Sequence, residues 1–219
     1  LDNKAYSLQE AKDLLSAFNM DVDTRAERWR GQVRTVDDQH ERHRLLVIDE
    51  AADLIRSGPD KKTSDACVES IRSALSRSRA LNCTVVVSTQ NPRVSTSLPY
   101  RSLLLTTLAL RLNSKSEAVM ALGEDAVQRG ARPWQISYNR PGDGYLWDSE
   151  SNTVKYIHVP FMTDQDIHSL RRPGTDDEAG EATARARSRL TNKLWGLLRR
   201  PPLGHWSLVT ARTVSAESV

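Results

Sequence analysis

Two short apolar runs on either side of a helical segment constrain the fold more than any other feature of this sequence. The first run, LLVI, spans Leu45 to Ile48, and the second, in CTVVVSTQNP, is rich in β-branched residues and is stopped by Asn91-Pro92. Between the runs, apolar residues recur at helical spacing at Val68, Ile71 and Leu75. A strand, a helix and a second strand in this order predict a βαβ unit. We therefore expect an α/β domain with a mostly parallel sheet flanked by helices.

Further elements surround this unit. The segment SLQEAKDLLSAF begins with a capping box formed by Ser7 and Glu10, which predicts an amphipathic helix. A third apolar segment, LLLTTLALRLN, is followed by short helical pieces, and GDGYLWDSESNTVKYIHVPF alternates as a β-hairpin does. From Arg171 onward the apolar periodicity is lost. We expect a linker and flexible tail over residues 173–219, with one possible short helix at residues 178–198.

Composition limits the class of protein. A chain of 219 residues with 38% hydrophobic content can bury one sizeable core. The longest apolar stretch is too short to span a bilayer, and Cys67 and Cys83 lack metal-ligand spacing, so we expect a cytoplasmic protein with reduced thiols. The formal net charge of +3 permits a polyanionic partner without requiring one.

An acidic pair, Asp49 and Glu50, directly follows the first apolar run. In open α/β sheets ligands bind outside the carboxyl ends of the strands, so this pair is expected to face a ligand. In nucleoside triphosphatases such an Asp holds Mg²⁺, usually through water, and a following Glu polarises the attacking water, which is the Walker B arrangement. The alternative is that both acids cap the helix that follows. Gln90 at the end of the second run favours a site, because it would lie beside Asp49 and could sense a γ-phosphate.

Five segments, in order and spacing, resemble the C-terminal half of the FtsK/SpoIIIE-like DNA translocase motor: LLVIDEAADLI, ALSRSRALNCTVVVSTQNP, LALRLNSKSEAVMALG, GDGYLW and VPFMTDQDIHSL. The plasmid-transfer members from actinomycetes are the most similar. The resemblance covers most of residues 7–170. It implies a RecA-like P-loop ATPase core that binds ATP and Mg²⁺ and assembles as a hexameric ring around double-stranded DNA, for chromosome segregation or conjugative plasmid transfer.

The resemblance also implies roles for individual residues. Asp49 corresponds to the acid of the metal site, Glu50 to the catalytic glutamate and Gln90 to the polar sensor. Arg79 falls where the family places an arginine finger that reaches the nucleotide of the neighbouring subunit. A planar guanidinium suits that role because it neutralises charge developing on phosphoryl oxygens. The alternative for Arg79 is a solvated charge at a helix end.

Two loops are expected to contact DNA. The family places the first loop before the strand that ends at the acidic pair, and here that loop contains Arg30 and Arg34. It places the second loop after the polar sensor, and here that loop contains Arg93 and Arg101. Arginines among small polar residues suit contacts to backbone phosphates without base readout. Asn91 stands where the family usually has arginine, and a solvated surface charge is the alternative for each of the four.

The sequence contains no G-x-x-x-x-G-K-[ST] motif, and SGPDKKTS lacks the second glycine and follows the acid-tipped strand instead of preceding it. We therefore expect residues 1–172 to be a partial RecA-like motor domain, incomplete on its N-terminal side, with 173–219 as linker and tail. Such a chain should hydrolyse ATP poorly alone, and would touch a membrane only through parts outside it. The alternative is a degenerate, non-catalytic motor half that acts in ring assembly.

Overall fold

The computed structural model of the protein describes residues 3–55, 60–92, 98–169 and 206–209. The chain divides into two units, one of Leu1–His158 with Leu203–Val219 and one of Val159–Pro202. In the described part of the second unit lies helix α5, Asp164–Ser169, whose start is held by hydrogen bonds between Thr163 and Asp166. No helix in the described ranges is long and apolar enough to cross a membrane.

The first unit is built on one six-stranded sheet in the order β1-β2-β6-β3-β4-β5. The strands are β1 (Arg44–Ile48), β2 (Cys83–Thr89), β3 (Thr106–Leu110), β4 (Asp143–Asp148), β5 (Thr153–His158) and β6 (Trp206–Val209). Strands β1, β2, β6 and β3 run parallel, whereas β4 and β5 pair antiparallel. The fold is thus mixed α/β, as expected, and the predicted hairpin is confirmed as β4 and β5.

The helices of the first unit are α1 (Leu8–Trp29), α2 (Lys61–Arg77), α3 (Lys115–Leu122) and α4 (Glu124–Gln128). Short 3₁₀ helices span Ala51–Leu54, Arg101–Leu103 and Pro133–Gln135. The predicted capping box of α1 is confirmed, because Ser7 Oγ accepts from the Glu10 N–H at 3.2 Å and Glu10 Oε2 accepts from the Ser7 N–H at 3.2 Å. Helix α1 ends before Gly31, whose φ of 73° lets the chain reverse.

The parallel pair β1–β2 carries the core of the βαβ unit. Leu46 lies opposite Val85 and Ile48 opposite Val87, and all four are buried in one cluster with Ile71 of α2. Because side chains alternate across a strand, the intervening residues of β1 face the other way. Leu45 and Val47 are accordingly 56% and 51% exposed. The sequence pattern of an apolar strand, helix and strand therefore predicted this unit correctly.

Strand β6 corrects the expectation of a flexible tail. Residues Trp206–Val209 were expected to lie in that tail, but they form a strand between β2 and β3, parallel to both. The backbones of β2 and β3 are each paired with β6, so this short segment completes the middle of the sheet. Its four residues are too few to show a strand period, which is why the sequence pattern did not reveal it. The possible helix at residues 178–198 lies outside the described residues.

A buried carboxylate fastens the base of the β4–β5 hairpin. Asp143 is 1% exposed and accepts hydrogen bonds from Tyr156 and Arg140, and His158 Nδ1 lies 2.7 Å from its Oδ1. The hydrogen bond from Tyr156, with those from Arg140 and His158, lowers the pKa of Asp143 to about 2, against the opposing effect of burial. The two strands are therefore joined at this end by side chains as well as by the backbone.

Replacing Ser207 by proline tests whether β6 holds the sheet together. Strand β6 has a partner strand on each side, so the Ser207 N–H can donate to the backbone of β2 or of β3. Proline has no N–H, and the substitution therefore removes one hydrogen bond between strands in either case. We expect Ser207→Pro to lower the free energy of unfolding by at least about 1–3 kcal/mol, the cost of one orphaned buried group. Urea unfolding of Ser207→Pro beside Ser207→Ala, which keeps the donor, provides the measurement. Equal stability of the two variants would contradict the central position of β6.

The stability contributed by Asp143 should depend on pH. Its pKa is about 2 in the folded chain and about 3.9 in an unfolded one, so its contribution is complete above that unfolded value. The contribution is lost as the pH falls through the folded pKa. We expect the difference in unfolding free energy between the parent chain and Asp143→Asn to be constant above pH 5 and to shrink between about pH 4 and pH 2. A difference that does not change with pH would exclude a charged, hydrogen-bonded Asp143.

Candidate functional site

The acidic pair lies where β1 ends, at the carboxyl edge of the parallel strands. Asp49 is exposed in a bend, and Glu50 is partly buried at the start of the 3₁₀ helix Ala51–Leu54. Glu50 adopts left-handed backbone angles, with φ 47° and ψ 66°. That region is uncommon for a non-glycine residue and costs free energy, and such strain is concentrated at ligand and active sites. Its side chain makes no capping hydrogen bond to this helix, so the helix-cap alternative does not describe Glu50.

The carboxylate of Glu50 is held against the end of β2. Thr89 Oγ1 donates to Glu50 Oε1 at 2.9 Å, and the Gln90 N–H donates to Glu50 Oε2 at 3.1 Å. These contacts cross from the end of one parallel strand to the end of its neighbour. We call this set, Glu50 with Thr89 and the Gln90 amide, the Glu50 clasp. It brings Glu50 to the backbone of Gln90, whereas the sequence analysis expected Gln90 to lie beside Asp49.

Asp49 is held by the same strand. Ser88 Oγ donates a short hydrogen bond to Asp49 Oδ1, and the Glu50 N–H donates to the same oxygen at 3.1 Å. The Glu50 N–H also lies 3.3 Å from Ser88 Oγ. Ser88 and Thr89 are the residues of this site that the sequence analysis missed. Two adjacent hydroxyl residues at the end of an otherwise apolar strand were the available signal.

The donor set at Asp49 fits magnesium in part. Mg²⁺ is usually bound by one or two carboxylates, with water and substrate phosphates completing its octahedron. Asp49 offers one exposed carboxylate, with the Ser88 hydroxyl beside it. Across the described ranges there is no group of three or more His, Cys, Asp or Glu side chains able to hold a metal unaided. Asp49 could therefore supply one ligand of a magnesium ion but not a complete set.

Arg79 lies at the opposite edge of the sheet from the acidic pair. It follows α2 and precedes β2, and it forms an ion pair with Glu150, in the turn between β4 and β5. Strand β2 separates the two edges, and its seven residues span about 20 Å at 3.3 Å per residue. Arg79 and Asp49 of one chain therefore cannot contact the same phosphate. The sequence analysis did not anticipate Glu150 as a partner of Arg79.

The arginines expected to contact DNA are in different environments. Arg30 and Arg34 are exposed in the loop between α1 and β1. Arg101 is half-buried, and its Nη1 donates to the carbonyl oxygen of Val119 at 3.1 Å, near the end of α3. That contact gives Arg101 a role in packing. Arg93 lies outside the described residues.

Comparisons with known proteins bear on the fold. No described protein family matches this sequence, and no curated protein matches it. Among solved structures, the pCW3 conjugation coupling protein TcpA, in a monomer form with ATPγS, is similar with a TM-score of 0.58. The sequences are 13% identical, and the match covers 73% of this chain and 46% of TcpA. The chain therefore shares the fold of rather less than half of that protein.

The Glu50 clasp can be tested by its effect on stability. Thr89→Val keeps the branched shape but removes the donor to a charged, partly buried acceptor, so we expect a loss of about 1–3 kcal/mol in the free energy of unfolding. In a Glu50→Ala background the same change should cost less, because the acceptor is already gone. Urea unfolding of the four chains measures this coupling. Thr84→Val, earlier on β2, is the matched control, and a loss as large at Thr84 would argue against the clasp.

Proposed function

We propose that this chain is the acid-and-sensor half of a RecA-like, FtsK/SpoIIIE-like motor that uses ATP to move double-stranded DNA. The observation that carries the proposal is the Glu50 clasp, which fixes a strained acidic residue between the carboxyl ends of two parallel strands. Ligands bind at that edge in open α/β sheets. The similarity to a conjugation coupling protein with ATPγS supports the same conclusion. Because the sequence has no P-loop, the phosphate-binding loop must come from outside these 219 residues.

The proposed chemistry divides between the two acids. Asp49 offers its exposed carboxylate toward Mg²⁺, which when bound neutralises charge on the β- and γ-phosphates. Glu50 is the candidate general base, because the clasp orients its carboxylate while leaving it partly open to solvent. A positioned carboxylate can orient an attacking water and accept its proton. Gln90 is exposed beside Glu50, where its side-chain amide could sense the γ-phosphate.

We further propose that Arg79 completes the site of a neighbouring subunit. Its position about 20 Å from Asp49, across the sheet, rules out a role in its own site but suits one in the next subunit of a closed ring. A hexamer around duplex DNA is the assembly that the resemblance implies. In that ring Arg30, Arg34, Arg93 and Arg101 are the proposed contacts to DNA phosphates.

The setting of this motor is also a proposal. We assign the chain to the cytoplasm, with any membrane contact made by other parts of the protein. The similarity to TcpA favours conjugative plasmid transfer over chromosome partition.

Glu50→Gln tests the catalytic assignment in complete subunits, meaning this chain together with its P-loop. Glutamine keeps the shape and an acceptor for Thr89 but cannot take a proton. We expect ATP binding to persist and DNA-stimulated hydrolysis to fall by about 10²–10⁴-fold, the usual contribution of general base catalysis. Steady-state ATPase rates and nucleotide titration provide the two measurements. Unchanged hydrolysis would remove Glu50 from the mechanism.

Mixing variants tests the assignment of Arg79. Arg79→Ala alone should reduce hydrolysis by about 10³–10⁵-fold if the guanidinium acts as a finger. In rings assembled at random from equal amounts of Arg79→Ala and Glu50→Gln subunits, about a quarter of the junctions join an intact Arg79 to an intact Glu50. Activity should therefore reappear on mixing. Arg77→Ala, which removes an exposed arginine paired with Asp23, is the control and should keep normal activity. An inactive Arg79→Ala that no mixing ratio rescues would contradict action across a junction.

The second candidate is a non-catalytic module that joins or caps a ring of complete subunits. The absence of a P-loop motif from the sequence favours it. This hypothesis predicts that Glu50→Gln and Arg79→Ala leave ATP hydrolysis by such a ring unchanged. Deletion of the whole chain should instead disrupt assembly of the ring.

A further inference from the structure

A basic, aromatic surface lies at the carboxyl edge of β3, away from the acidic pair. Residues 129–140, RGARPWQISYNR, contain three arginines and no acidic residue. Arg129 and Arg132 are exposed, and Arg111, directly after β3, is half-buried. The Leu112 N–H donates to the carbonyl oxygen of Pro133 at 3.3 Å, which brings the backbones next to Arg111 and Arg132 together. Arg111 and Arg132 are therefore close in the fold at the end of β3, and Arg129 precedes Arg132 by three residues in the chain.

Tyr138 joins this surface through Arg111. The guanidinium carbon of Arg111 lies 3.6 Å from the centroid of the Tyr138 ring, which is a cation–π contact. The side chain nevertheless remains 68% exposed. An aromatic ring has two faces, and Arg111 covers one of them. The other is open to solvent and is held in place by the stacked guanidinium.

The other charged residues near this surface have different partners or positions. Arg140 is engaged by the buried carboxylate of Asp143, so it supplies no free charge. Glu124 and Asp125 are exposed in the first turn of α4, whereas Arg129 caps the other end of that helix. Glu117 accepts the N–H of Asn113 at 2.8 Å, which holds its carboxylate at the start of α3.

We propose that Tyr138, Arg111, Arg129 and Arg132 form a binding site for a single strand of nucleic acid. An unpaired base stacks on the open face of Tyr138, and the flanking phosphates contact Arg132 and Arg129. Proteins that bind single strands without sequence preference combine these two elements, a positively charged surface and an aromatic side chain on which bases stack. A base within a duplex is already stacked, so duplex DNA gains only the charge contacts. This site uses none of the residues assigned to ATP hydrolysis, and it stands or fails separately from the proposed motor.

The experiment compares three polyanions bound by the 219-residue chain: a labelled oligothymidylate, a labelled linear duplex without a loop, and inorganic polyphosphate. Tyr138→Ala should weaken binding of the oligothymidylate by about fivefold to a hundredfold, the loss for one stacked base, and leave the other two unchanged. Tyr138→Phe keeps the ring and should bind as the parent chain does. Tyr6→Ala, at a tyrosine that is 86% exposed elsewhere, is the matched control and should have no effect. Fluorescence anisotropy measures the affinity for the oligothymidylate and for the duplex, and competition measures the affinity for polyphosphate.

Arg132→Ala should weaken all three complexes. For the oligothymidylate it should also reduce the slope of log affinity against log salt by about 0.7, the value for one lost phosphate contact on a single strand. Arg42→Ala, at an exposed arginine before β1, should leave both quantities unchanged. Two results would overturn the proposal: an oligothymidylate affinity that Tyr138→Ala does not alter, or an equal loss for oligothymidylate and duplex, which would indicate a surface of charge alone. Circular dichroism of each variant shows whether the fold is retained. If Tyr138→Ala unfolds, Tyr138→Leu, which keeps apolar volume but has no aromatic face, replaces it and should weaken binding of the oligothymidylate alone.

Discussion

The parallel register of β1 and β2 is the constraint on which the rest of the structure depends. Helix α2 joins the two strands, and the pairs Leu46–Val85 and Ile48–Val87 align them within one buried cluster. Once these strands are in register, their carboxyl ends lie side by side, and the residues that follow one strand are within hydrogen-bonding distance of the other. A shift by one residue would turn every side chain of β1 to the opposite face and separate the acids from the hydroxyls of β2.

The two edges of the sheet have different chemistry for the same reason. The carboxyl edge carries the acidic pair and the basic, aromatic surface around Tyr138. Arg79 and Glu150 lie at the amino edge. A parallel strand has distinct ends, so a sheet built from such strands separates two sets of groups by the length of a strand. One chain therefore cannot bring both sets of groups to the same phosphate.

The elements that the sequence predicted correctly are those set by local patterns. The capping box of α1, the strands β1 and β2 and the hairpin all have their signals within a few neighbouring residues. The contacts that it missed join distant positions. Arg79 and Glu150 are 71 residues apart, and Thr89 lies 39 residues from Glu50. The spacing of residues along a chain does not predict contacts between such distant positions. Ser88 and Thr89 have common side chains, and their hydroxyls meet the acidic pair only when the strands are paired.

The central position of β6 has a consequence for the order of folding. Strand β2 can pair with β1 and strand β3 with β4, yet the facing edges of β2 and β3 stay unpaired until residues 206–209 arrive, after two further strands and several helices have been made. During synthesis on the ribosome the growing chain would therefore expose two unpaired strand edges in its middle, and such edges favour association between chains. Closing the sheet is a late, long-range event of high contact order, which slows folding. The facing edges of β2 and β3 are therefore where association between chains is most favoured before β6 is in place.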